Sequence, residues 1–154
     1  MRNKQYLFAL LIVFIIIVGG CSSKTAEEPP EMPPDVIVKI NGENIETARG
    51  TYQWETKGLF SNQTVIADAA APFQIAENMK AKIVEQSSVA DIEFNNGSQP
   101  QLHAYLWEEE KRGEELPLNQ HKITLPLEKG KYVIEIHAEW TNGDSSYTFV
   151  VEVQ

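Results

Sequence analysis

The chain of 154 residues carries 22 acidic against 13 basic side chains, a formal net charge of −9, and a single cysteine, Cys21. An acidic balance excludes nucleic acid as a partner, because the phosphate backbone is gripped by an excess of Lys and Arg. One cysteine excludes an intrachain disulfide and a thiolate zinc centre, and the length leaves room for one domain of roughly 120 residues held together by packing alone.

Residues 1–20 have the layout of a secretory signal peptide: basic Arg2 and Lys4, an apolar run from Tyr6 to Val18, then Gly19-Gly20 before Cys21. The run falls short of the ~20 residues that span a bilayer comfortably. Val18-Gly19-Gly20-Cys21 resembles the bacterial lipobox, which implies diacylation of Cys21 and a lipid-anchored chain on the extracytoplasmic face of the cell membrane. Loss of Arg2 and Lys4 with the leader lowers the net charge from −9 to −11. Residues 21–35, with four prolines and no apolar periodicity, predict a lipid-attached linker in extended form.

The domain is expected over residues 36–154. Val36–Ile40 followed by Asn41-Gly42 is a strand and turn signal, with a first hairpin to 43–47. Gly50–Glu55 alternates, with Tyr52 and Trp54 on one face, and predicts a central strand. Residues 56–78 predict irregular chain with a short strand near Thr64–Ile66, because Pro72 stops any helix built on Ala67–Ala71. Strand patterns return at Lys80–Val84, Val89–Phe94, Leu102–Trp107 and His121–Leu125, whereas the charged run Glu108–Glu115 predicts a solvated loop. The clearest pattern closes the chain. Tyr132, Ile134, Ile136, Ala138 and Trp140 point one way, and Lys131, Glu135, His137 and Glu139 the other, with Val133 the one apolar intruder. After a turn at Asn142-Gly143, whose positive φ values a tight reversal calls for, Tyr147, Phe149, Val151 and Val153 resume the alternation.

About nine short strands in this length predict an all-β fold, a single-domain antiparallel β-sandwich. Gly130-Lys131-Tyr132 resembles the tyrosine corner of immunoglobulin-like domains, in which the ring packs inward and its hydroxyl bonds upstream backbone. Gly50-Thr51-Tyr52-Gln53-Trp54, Leu125–Tyr132 and Ala138–Phe149 together resemble a group of small, uncharacterised lipoproteins of Bacillus-like bacteria. That resemblance implies a cell-surface location and brings no activity with it.

No Gly-x-Ser-x-Gly elbow, phosphate loop or calcium loop is present. Glu135, His137 and Glu139 lie ~7 Å apart in succession along one strand and could share a metal only if another strand contributed; a solvated outer face accounts for them without a site. The expected protein is therefore not an enzyme, carries no cofactor or metal, and acts as a monomeric binding module for an envelope protein or peptide. Its contact residues are sought in two loops at one end of the sandwich, Phe60 in Glu55–Ala71 and Trp107 in Trp107–Pro117, where an aromatic beside glutamates suits a basic or amphipathic partner. The alternative is an immunoglobulin-like protease inhibitor, because Gly50–Trp54 and Glu139-Trp140 resemble the aromatic loop motifs of chagasin-type inhibitors, although the Arg-Pro-Trp and Gly-rich middle loop of that family are missing.

Overall fold

Twelve strands and one short helix occupy residues 31–58 and 61–154, the part of the chain that the computed structural model describes. Cys21, Phe60 and the whole leader lie outside it. Among the described residues no helix is long and apolar enough to cross a membrane. In chain order the elements are β1 (Val36–Ile40), β2 (Glu43–Asn44), β3 (Ala48–Lys57), β4 (Asn62–Ala67), α1 (Pro72–Ala76), β5 (Lys82–Val84), β6 (Val89–Phe94), β7 (Gln101–Glu108), β8 (Lys111–Glu115), β9 (Leu118–Asn119), β10 (Lys122–Thr124), β11 (Gly130–Trp140) and β12 (Gly143–Val153).

They form two antiparallel sheets packed face to face, an all-β sandwich. One sheet has the order β2-β1-β6-β10-β9 and the other β4-β3-β12-β11-β7-β8, with β5 running parallel to the end of β12. Alternation explains the core: Val36, Val38 and Ile40 of β1 and Ala90, Ile92 and Phe94 of β6 turn inward from one sheet, and Ile134, Ile136, Ala138, Tyr147, Phe149 and Val151 from the other. The β11–β12 hairpin is the centre, paired without a slip from Gly130↔Val153 to Trp140↔Gly143.

The polar face of β11 is not the solvated surface that its sequence predicts. The chain after β4 folds back over it as α1 and the turn beyond, so that Val133, Val150, Ala76 and Met79 are buried in a second small core beside Trp107. The apolar intruder Val133 belongs to that core. Pro72, expected to stop a helix, starts one: it occupies the first turn, where its missing N–H costs nothing, and the Gln74 side chain accepts the Ala71 N–H at 3.3 Å. The strand expected near Thr64–Ile66 is β4, and the helix at Pro72–Ala76 stands where irregular chain is expected.

Three further expectations change. Glu108–Glu115 is no loop: the chain reverses at Glu109, with φ of 36°, and returns as β8 along β7. Asn142 keeps a negative φ and sits with Thr141 in a two-residue link, so the Asn-Gly of this hairpin does not act as the left-handed pair; Asn41 and Gly42, at φ of 53° and 79°, do. Packing also begins ahead of Val36. Pro33 and Pro34 are buried, the Tyr147 hydroxyl donates to the Pro34 carbonyl, and Arg49 Nη2 donates to the Pro33 carbonyl at 2.8 Å while pairing with Asp35. The chain thereby enters beside Phe94, at the end of the sandwich where Trp140 stacks edge-on against Trp54 and Phe94 at 5.3 and 5.0 Å.

Candidate functional site

At the opposite end of the sandwich the chain turns two corners that strands cannot carry through, because each holds a proline. One is Leu116-Pro117 after β8, the other Leu125-Pro126-Leu127 between β10 and β11. The Leu116 N–H donates to the Ala104 carbonyl at 2.8 Å, the Thr124 N–H to the Pro117 carbonyl at 3.1 Å, and the Leu125 N–H to the Ser88 carbonyl at 2.9 Å. These bonds satisfy the backbone of the corners and fix them. Tyr132 closes the wall as the tyrosine-corner resemblance implies, its ring against the core and its hydroxyl donating to the Glu128 carbonyl at 2.9 Å.

Between the corners lies a groove of about 450 Å³, with Leu106, Leu116, Leu125, Leu127, Pro117, Pro126 and Tyr132 as apolar walls and Glu114 and Glu128 as its carboxylates. Its size falls in the range of small-ligand and side-chain sites. Leu127 is 68% exposed at the mouth, whereas Leu116 and Leu125 are buried at 7% and 2%. The lining holds no lysine, arginine, histidine, cysteine or serine. Such a surface can desolvate an aliphatic or proline side chain and attract a cation beside it through Glu114 and Glu128.

A second, smaller cleft of about 300 Å³ opens on the outer face of β11 and β12, bounded by Thr51, Trp107, Arg112, Glu135, His137, Asp144 and Ser146. Its Arg112, Glu135, Trp107 and Ser146 groups are already used. Glu135, 4% exposed, takes both prongs of Arg112, Nε to Oε2 at 3.0 Å and Nη2 to Oε1 at 2.9 Å, and the Trp107 indole N–H at 2.6 Å. The guanidinium lies 4.4 Å over the Tyr105 ring. Ser146 stands directly across from His137 in the ladder, yet its hydroxyl donates to the Thr51 carbonyl at 3.3 Å and His137 Nε2 lies 3.2 Å from Glu139, so the two are not a nucleophile and its base.

Trp107, sought as a loop aromatic, is therefore a strand residue with its ring against the second core and its N–H bound to Glu135. The rest of its stretch does reach the groove, through Glu114, Leu116 and Pro117. His137 and His103 meet across β11 and β7, but His103 Nδ1 lies 2.8 Å from Glu115 on the far side, and His121 contacts the Pro100 carbonyl elsewhere. Among the described residues no three His, Cys, Asp or Glu side chains converge as metal ligands. Gly50–Trp54 lies within β3, and Trp54 and Trp140 form an interior aromatic stack rather than inhibitor loops. The groove left one trace in the sequence that alternation passes over: the repeated Leu-Pro-Leu of 116–118 and 125–127, in which leucines flank a residue that cannot donate to a ladder. Comparison of the chain with known protein families, with curated proteins and with solved structures finds no match.

Proposed function

We propose that the chain is a non-catalytic, lipid-anchored binding module on the extracytoplasmic face of the cell membrane, and that its groove holds an extended segment of an envelope protein or peptide in which an apolar side chain is flanked by Lys or Arg. The apolar groove with two carboxylates at its walls carries this reading. The groove also lies at the end of the sandwich remote from Pro33 and Pro34.

The sandwich is of the immunoglobulin-like kind. The order β8-β7-β11-β12 opposite β9-β10-β6 follows the C′-C-F-G and D-E-B arrangement of that fold, and Tyr132 stands at the start of the strand corresponding to F, where a tyrosine corner belongs. β1 takes the place of A beside B, and β2, β3, β4 and β5 extend the two sheets beyond that arrangement. The anchor rests on Val18-Gly19-Gly20-Cys21; a fatty-acid label should enter the wild type and be lost in Cys21→Ser, and label kept in that variant removes the anchor from the reading.

Binding is tested with the full chain in lipid nanodiscs against an array of extended peptides varying in apolar and basic positions. Leu127→Asp and the pair Glu114→Lys with Glu128→Lys alter exposed side chains and leave the core intact. Leu127→Asp should weaken the best peptide at least tenfold, and the double charge reversal should abolish the preference for Lys and Arg. Peptides that bind all three forms equally would show that the groove is not the contact.

A further inference from the structure

We propose that β4 is a docking edge, and that its occupant is β4 of a second copy of this chain, paired antiparallel about a two-fold axis. A strand at a sheet edge presents a row of unpaired N–H and C=O groups that another strand matches, and natural edges are blunted by charge, proline, bulges or brevity. Every other edge here is blunted. In the sheet that β4 ends, the far edge β8 reads Lys-Arg-Gly-Glu-Glu and its pairing with β7 shifts register between Tyr105 and Trp107. The other sheet ends in β2 and β9, of two residues each, and β5 has three.

β4 has none of these protections. Its six residues, Asn-Gln-Thr-Val-Ile-Ala, include no charge and no proline, and they pair with β3 at every position without a slip. Among the described residues β3 is the only strand it pairs with. Ile66, opposite Gln53 on the outer face, is 65% exposed.

The second copy follows from the symmetry and the charge. A two-fold axis normal to the sheet keeps outer faces together, so residues of the same face must stand opposite one another. Two registers meet that condition with five of the six residues of β4 paired among themselves, one with Thr64 opposite itself and one with Val65 opposite itself. In both, those five meet uncharged side chains. An uncharged edge gives a foreign basic segment nothing to recognise on an acidic protein, whereas it lets two copies of net charge −9 approach by a six-residue strand that carries no charge. Salt then separates the occupants: screening strengthens pairing of like-charged copies and weakens a basic partner.

The test is a cysteine placed in turn at each of residues 62–67 of the full chain in mild detergent, followed by gentle oxidation and a non-reducing gel, with the unsubstituted chain and its Cys21 as baseline. A dimer band should exceed the baseline most at Thr64→Cys or Val65→Cys and fall toward Asn62 and Ala67, and it should grow between 20 and about 150 mM salt as the Debye length shortens to ~8 Å. Ile66→Lys, added to the best cysteine variant, should cut that band at least fivefold without moving its thermal midpoint. No band above baseline at any position, a band equal at all six, or one that fades with salt overturns the proposal; a crosslink to a different protein would assign the edge to that partner instead.

Discussion

A β-carbon on Gly143 would run into the carbonyl oxygen of Gln53 and stand 2.9 Å from the Trp54 ring. Its φ of 154° already disfavours a side chain, and the close approach of β3 adds to that. At Gly42 a β-carbon meets nothing within 4 Å and the φ of 79° is the whole constraint. Gly143→Ala should therefore cost about 1–3 kcal/mol through overpacking against backbone, and Gly42→Ala about 1 kcal/mol through its left-handed conformation. Urea midpoints of the two variants decide this, and equal losses would mean that β3 yields to the added methyl. The same dipeptide precedes both strands in the sequence, and only the neighbour brought by the fold separates them. Local pattern could locate both turns, but part of the reason for one glycine lies about ninety residues away along the chain.

β11 illustrates how far alternation can be read. Its inward face was legible residue by residue, and Ile136→Ala should cost about 2–5 kcal/mol, whereas His137→Ala, on the half-open face, should change stability by less than about 0.5 kcal/mol. Its outward face was legible only in part. Whether Glu135 meets water depends on α1 and β8, elements whose sequences gave no strand or helix pattern of their own: β8 is made of charged residues and α1 begins at a proline. β8 forms because Arg112 has a buried carboxylate to grip. Removing that grip leaves Glu135, 5% exposed at its side chain, without its cation, so Arg112→Ala should cost about 3 kcal/mol. Glu135→Gln should cost less, because the remaining Arg112, 44% exposed, can turn to solvent. Thermal midpoints of the two variants check the order, and the reverse order would mean that the carboxylate is reached by water. The groove escaped notice for a related reason: corners have no period, so Leu116-Pro117 and Leu125-Pro126-Leu127 read as gaps between strands.

At the scale of the molecule, Tyr147 joins Pro34, ahead of the first strand, to the centre of the core. Burial holds its hydroxyl above the usual tyrosine value, with the Arg49 guanidinium opposing the shift. Since the unfolded chain ionises near pH 10, the neutral hydroxyl favours the fold; that contribution is complete below about pH 10 and is lost as the pH rises through the raised folded value. Wild type should thus lose stability more steeply than Tyr147→Phe above pH 10, while below that pH the variant should be the weaker by about 1 kcal/mol for its missing bond to the Pro34 carbonyl. Parallel alkaline slopes in denaturant titrations would exclude this role. The sandwich architecture and a core centred on the last hairpin were legible from periodicity, whereas the clamp on Pro33 and Pro34 was not, because a proline-rich stretch reads as a tether until something is seen to hold it.

That clamp also decides how the domain bears force. The chain enters beside Phe94, runs down β1 toward Ile40, and the groove lies at the end toward which β1 runs. If the chain is anchored and its groove occupied as proposed, a pull between the two lies along β1, and its five paired positions with β6 are loaded side by side in shear instead of being peeled apart one at a time. Arg49 and Tyr147, gripping the two prolines ahead of the strand, take up the first part of the load. A domain hung this way stays folded under a pull that would unzip the same strand if the groove and the tether shared one end.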